Sequence, residues 1–316
     1  MLLKLFKLIA CRRYVWHITF ISYLFSIGAT LNIHAKDQED GLGVLHVDAN
    51  GTEIKVLTYR PPDCDNLSIF ISVHGLKRNA KGARNRAIKF AQKTCMMVFA
   101  PYFDKDRFPN WRFHRAGVVR KGIVQDRSLW TAPILHKLIE AARREVGSAE
   151  AKVYLFGHSA GAQFLSRIAA YTPLTDVTRI VIANPSLYVA PVLETDAPYG
   201  FGGVFSEFEA NATLKSYLAS PITIYLGLED TGTKYLVTSK AAMRQGKNRL
   251  ERGRNIFRLA QEAARQRGWQ FNWKLVEVAG VGHSSKKLLR VPELYQALNL
   301  DKGERVPIPP PAAIGG

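Results

Sequence analysis

Ala151-Lys-Val-Tyr-Leu-Phe-Gly157-His-Ser159-Ala-Gly161-Ala-Gln-Phe-Leu-Ser-Arg-Ile-Ala-Ala170 is the stretch on which the fold turns. Its opening is a short, mostly apolar run of the kind that forms a strand buried on both faces. Its second half carries apolar residues at three-and-four spacing, which is the pattern of a helix lying on a core. Between them stands Gly-x-Ser-x-Gly. Two glycines let a helix and a neighbouring strand close on a serine held in a sharp turn, which is what a nucleophile elbow requires. The five letters alone are weak, and a serine in an ordinary tight turn is the plainer reading. The strand-turn-helix context favours the elbow.

Outward from this unit the same alternation repeats. Residues 53–59, 67–73, 96–100, 153–156, 180–183, 222–228 and 272–278 read as strands. Residues 83–94, 128–146, 160–171 and 255–267 read as helices. Strands alternating with helices imply an α/β fold, a mostly parallel central sheet with helices on both faces. No linker interrupts the middle of the chain, so residues 36–301 are expected to form one catalytic domain. From Lys302 a proline-rich tail, residues 302–316, offers little to pack and is expected to be flexible. Of 316 residues, 47% are hydrophobic and 22% charged, which excludes a disordered or fibrous chain. Three cysteines and no Cys-x-x-Cys pair exclude a disulfide scaffold and a zinc ribbon.

A serine hydroxyl attacks poorly near neutral pH without a base in reach. His283, in Val278-Ala-Gly-Val-Gly-His283, is the only histidine after Ser159 and sits in a flexible loop beyond a strand. The alternative is a surface histidine. His74 and His158 adjoin turn glycines and read as structural. A histidine base needs a carboxylate to hold its tautomer. Asp230, just past the strand at 222–228, has that place, with Glu229 its close rival and Asp196 a distant one. Attack on a carbonyl also needs backbone donors for the oxyanion. The strand ending in Val73-His-Gly75-Leu76 offers the Leu76 N–H, with Lys77 as the alternative, and the Ala160 N–H follows the nucleophile. Asn184 and Tyr188, after another strand, open an aromatic excursion through Tyr199, Phe201, Phe205 and Phe208. It reads equally as a substrate-side roof or as packing.

The leader, residues 1–35, has a basic start and fourteen uncharged residues from Ile18 to Leu31, then Ala35 before a charged stretch. This reads as a signal peptide cleaved near Ala35, giving a periplasmic or secreted protein. Fourteen residues rise about 21 Å as a helix, short of a bilayer core of ~30 Å, so an uncleaved anchor is the alternative. The formal charge is +18, and +14 once the leader's four cations are set aside. Basic residues concentrate at 77–93 and 244–267. They suggest either attraction to an anionic substrate or envelope surface, or simply solvated helix faces. The glycine-bounded stretch 245–253 reads as a loop near the site. No interleaved aromatic platform supports nucleic-acid binding.

Taken together, the strand-His-Gly entry, the Gly-His-Ser-Ala-Gly elbow, Asp230 and His283 resemble the α/β-hydrolase superfamily over residues 43–300. Tyr59-Arg-Pro-Pro, Val73-His-Gly-Leu-Lys-Arg-Asn-Ala80 and Phe156-Gly-His-Ser-Ala-Gly-Ala-Gln163 resemble its exported esterase and poly(3-hydroxybutyrate)-depolymerase-like branch. The resemblance implies a serine esterase working through an acyl-enzyme, with no metal and no organic cofactor. A Ser/Thr-rich linker and an appended binding module are missing, so a small or oligomeric ester is expected rather than a solid polymer. An acyltransferase would use the same groups, and a non-catalytic binding protein could use the same scaffold. In this fold the strands following Cys64 and beginning at Cys95 are parallel neighbours, so a Cys64–Cys95 disulfide is expected in an exported protein, with buried thiols as the alternative.

Overall fold

A computed structural model describes residues 41–300. The leader with its cleavage site and the proline-rich tail therefore lie outside the described residues. The strands are β1 (Leu42–Ala49), β2 (Thr52–Tyr59), β3 (Ser68–Val73), β4 (Met96–Pro101), β5 (Val119–Arg120), β6 (Ile123–Val124), β7 (Val153–His158), β8 (Arg179–Ala183), β9 (Ile222–Gly227) and β10 (Lys274–Val278). The helices are α1 (Ala80–Thr94), α2 (Ala132–Val146), α3 (Ala160–Tyr171), α4 (Glu207–Ala219), α5 (Lys240–Met243), α6 (Arg249–Arg267), α7 (Ser285–Leu288) and α8 (Glu293–Leu298).

Eight strands form one sheet in the order β1-β2-β4-β3-β7-β8-β9-β10. The pairs β1/β2 and β2/β4 are antiparallel, and every other pair is parallel. β3, β4, β8 and β9 are apolar nearly throughout and buried along their length, because helices cover both faces. On one face α2, α3 and α6 pack with Leu135, Phe164 and Ile256 over Ile71, Leu155 and Ile224. On the other, Phe90 of α1 and Leu294 of α8 pack over Phe70, Phe156 and Val278. β7 lies inside the sheet between β3 and β8, so the turn that follows it emerges mid-way along the carboxyl edge.

The short elements β5, β6, α5, α7 and α8 were not expected from the sequence, and three further differences have a clear physical reason. β1 was not expected. It joins β2 through Asn50 (φ 56°) and Gly51 (φ 77°), and an Asn-Gly pair between extended runs is the signal that identifies such a hairpin. α4 replaces part of the aromatic excursion and opens with a capping box between Ser206 and Glu209. α6 begins at Arg249, six residues before the expected start, and runs through Gly253. A Cβ on Gly253 would lie 2.6 Å from the Leu226 side chain, so the helix can approach β9 only with glycine there. The stretch 245–253 is thus a short turn and a helix start rather than a loop.

Cys64 and Cys95 are joined in a disulfide, with Cα atoms 5.5 Å apart. It ties the entry to β3 to the start of β4, consistent with the parallel pairing of those strands. Among the described residues no helix is long and apolar enough to cross a membrane.

Candidate active site

β7 ends at His158 and α3 begins at Ala160, leaving Ser159 alone in the turn at φ 58°, ψ −116°. Such backbone geometry costs a non-glycine residue on the order of 1–3 kcal/mol and persists only where the surroundings enforce it. Here they do. A Cβ on Gly157 would sit 2.5 Å from the Gly161 carbonyl oxygen, and one on Gly161 would sit 2.5 Å from that of Val73. The Ser159 N–H donates to Ala183 O at 3.0 Å. Its hydroxyl caps no helix N–H and so is free for chemistry.

The connections after β9 and β10 meet beside it. Gly227 permits this, because a Cβ there would lie 2.1 Å from Val281 O. Glu229 N–H donates to Val281 O at 3.0 Å, lacing the two loops together. His283 Nδ1 then donates to Asp230 Oδ2 at 2.6 Å, leaving Nε2 for a reacting group. Asp230 is 2% exposed, whereas the His283 side chain is 29% exposed. Glu229, the rival acid, points to solvent. His158 packs its ring 4.5 Å from that of His283. Burial first, and the neighbouring His283, Arg86 and Arg249 after it, hold His158 far below the usual imidazole range, so it is a neutral wall.

A buried carboxylate must be fully hydrogen-bonded. Asn184 Nδ2 donates to Asp230 Oδ2 at 2.6 Å, and Arg249 Nη1 donates to Oδ1 at 3.3 Å. Arg249 is itself 2% exposed and also donates to Gly232 O at 3.2 Å and Lys234 O at 2.6 Å. Sequence reading missed Arg249, although it lies in the basic stretch 244–267. Its signal was a cation six residues ahead of the apolar periodicity, which only the packed helix start turns inward.

Asn184 and Tyr188 are corrected. Asn184 is fully buried, with Oδ1 accepting from Gly227 N at 3.0 Å, so it clamps the ends of β8 and β9 and positions Asp230 rather than facing a substrate. Tyr188 is fully buried with its backbone held by Gln245 at 3.1 and 2.9 Å. Phe201 packs against Tyr171 and Tyr217, so this part of the aromatic excursion is core, while Phe208 is 85% exposed. The basic stretches are not uniformly solvated faces either. Arg78, Arg84, Arg249 and Arg252 are buried, and Arg252 donates to three backbone carbonyls, at Gly246, Ser186 and Val237.

The loop after β3 flanks Ser159. A Cβ on Gly75 would lie 3.9 Å from Ser159 Cβ. His74 anchors the loop from below. Its Nε2 accepts the Phe103 N–H at 3.1 Å and its Nδ1 donates to Gly75 O at 3.1 Å. That pattern needs a neutral ring, and burial lowers its pKa to about 4. The Leu76, Lys77 and Ala160 N–H groups form none of the backbone hydrogen bonds of this region and remain free to receive an oxyanion. Among the described residues no cluster of three or more His, Cys, Asp or Glu side chains could hold a metal ion.

No protein-family model matches the sequence, and no curated protein is significantly similar to it. Solved structures are. The poly(3-hydroxybutyrate) depolymerase LpqC from Bordetella parapertussis is 30% identical over 81% of this chain and 90% of its own, with a TM-score of 0.73. Poly(aspartic acid) hydrolase-1 from Sphingomonas sp. KT-1 is 29% identical over 82% and 98%, with the same TM-score. An S-formylglutathione hydrolase from Agrobacterium tumefaciens, 14% identical over 84% and 96% with a TM-score of 0.50, shares the fold.

Proposed function

This chain belongs to the α/β-hydrolase superfamily, in its poly(3-hydroxybutyrate)-depolymerase-like branch, and from that premise we propose that it is an exported serine hydrolase of small or oligomeric carboxylic esters. The observation that carries this is the 2.6 Å contact between His283 Nδ1 and the buried Asp230, beside a serine in a strained turn.

Ser159 Oγ attacks the ester carbonyl while His283 Nε2 takes its proton. Asp230 stabilises the resulting imidazolium, and the N–H groups of Leu76 and Ala160 receive the negative charge on the carbonyl oxygen. Collapse expels the alcohol, which takes the proton back from His283. Water, activated by the same imidazole, then releases the acid and restores Ser159. Each proton and charge is handled by these side chains and backbone donors. The branch supplies the ester class, the apolar leader supplies export, and cleavage near Ala35 releases the domain to the periplasm or medium.

The test is hydrolysis of p-nitrophenyl acetate, butyrate and octanoate by the full chain beside Ser159→Ala, Asp230→Asn and His283→Ala. Loss of roughly 10³-fold or more in kcat with each variant is expected. Equal rates for wild type and a folded Ser159→Ala would refute the reading and move it toward an acyltransferase or a binding protein.

A further inference from the structure

The connections leaving the carboxyl ends of β4, β8 and β9 meet around a cavity of about 530 Å³. These strands run parallel to β7, so the three connections leave the sheet at the same edge as the Ser159 turn. Its lining includes Arg115, Pro198, Tyr199 and Arg244. Neither arginine has a carboxylate partner among the described residues. Behind the Pro198 wall lies Arg167 of α3, fully buried. Its guanidinium donates only to the backbone oxygens of Gln163 at 3.0 Å and Pro198 at 3.5 Å, and its Nε has no partner.

A buried cation is normally matched by a carboxylate, because leaving it unmatched forfeits the attraction that offsets desolvation. Burial lowers Arg167 to a pKa of about 10, so it stays charged at neutral pH. His114 shares this neighbourhood. Its Nδ1 is buried without a partner, and burial first, then Arg167, Arg115 and Arg78, keep it neutral. The lining itself holds two arginines and two acids, and Arg167 adds a third cation behind it. Glu194 and Asp196 are exposed, as is Arg244, and neither acid forms an ion pair with Arg115, Arg244 or Arg167 among the described residues.

We propose that this cavity is a carboxylate-binding subsite in which Arg115 and Arg244, backed by Arg167, receive the free acid end of an acid-terminated ester. The assignment of the ligand's other end to Ser159 rests on the serine-hydrolase reading, whereas the anion site itself does not. Guanidinium groups suit this ligand because each offers a planar pair of donors to a carboxylate.

Two measurements test it on the full chain. The first is calorimetric binding of glutarate to Ser159→Ala, alone and combined with Arg115→Gln, Arg244→Gln or Arg115→Lys. Each glutamine variant is expected to weaken binding about tenfold, and the lysine variant, which keeps the charge but loses the paired donors, about threefold. Dimethyl glutarate should not bind. Glutarate binding unchanged by both glutamine variants, or inorganic phosphate binding as tightly as glutarate, would overturn the subsite. The second is the ratio of kcat/KM for p-nitrophenyl hemiglutarate to that for its methyl ester. It should favour the anion in wild type and fall about tenfold in each glutamine variant. A ratio that the variants leave unchanged overturns the proposal while leaving the hydrolase reading intact. Glutarate binding lost in the variants, with neither ester hydrolysed by wild type, supports the subsite and refutes the hydrolase reading instead.

Discussion

Replacing Arg249 by Met tests whether the α6 start holds Asp230 in place. Methionine keeps an unbranched stem in the space of the arginine and removes only the guanidinium. The structure then leaves Asp230, 2% exposed, with Oδ1 unpaired, and strips a donor from Gly232 O and Lys234 O. Removing one partner of a buried ion pair costs about 3–5 kcal/mol, because the other charge stays buried without compensation. For a chain of this size 1 kcal/mol moves the melting temperature by roughly 2–4 °C, so a drop of about 6–20 °C is expected. Asp230 would shift to regain water, and His283 with it. A misplacement on the order of 1 Å can cost about 100-fold in rate. The assay is guanidinium unfolding of oxidised protein with kcat/KM on p-nitrophenyl butyrate alongside. A second variant carries Asp230→Asn as well. Neutralising the acid should return about 1–3 kcal/mol of the loss, since the two sites are in contact. An Arg249→Met cost below 1 kcal/mol, or strict additivity in the double variant, would refute the reasoning.

Acid sensitivity follows from His74. Its folded pKa of about 4 lies below the unfolded value near 6.5, so the unfolded chain binds the extra proton and stability falls as pH drops through that window. A loss on the order of 3 kcal/mol between pH 7 and pH 4 is expected, and unfolding curves at both should show it shrinking in His74→Gln. The Cys64–Cys95 bridge closes a loop of separation 31, and opening it should cost about 3–4 kcal/mol in the chain-entropy account. Peptide-resolved alkylation should label neither cysteine before reduction and both after, and labelling of either one in unreduced protein would refute the bridge.

The elbow was legible because its constraints are local. Gly157 and Gly161 are required by contacts one turn away and by the neighbouring strand, and those demands leave letters in the chain. Asp230 and His283 could be named as candidates because each follows a strand that periodicity reveals, but choosing Asp230 over Glu229 depended on which carboxylate the loop lacing turns inward. Asn184 and Tyr188 show the converse. Their place after a strand was read correctly, yet placement at an edge does not say whether a side chain faces the cleft or the core.

The alternation of apolar runs with helical spacing, and the order of Ser159, Asp230 and His283, were determined by the sequence alone, because each is a property of neighbours along the chain. The ion pair of Arg249 with Asp230, the clamp of Asn184 and the unpaired Arg167 beside its cavity were decided only by tertiary structure. They join residues 19 to 46 positions apart whose identities carry no periodic signal, and only the register of the packed sheet sets which charges meet and which are left without a counter-charge.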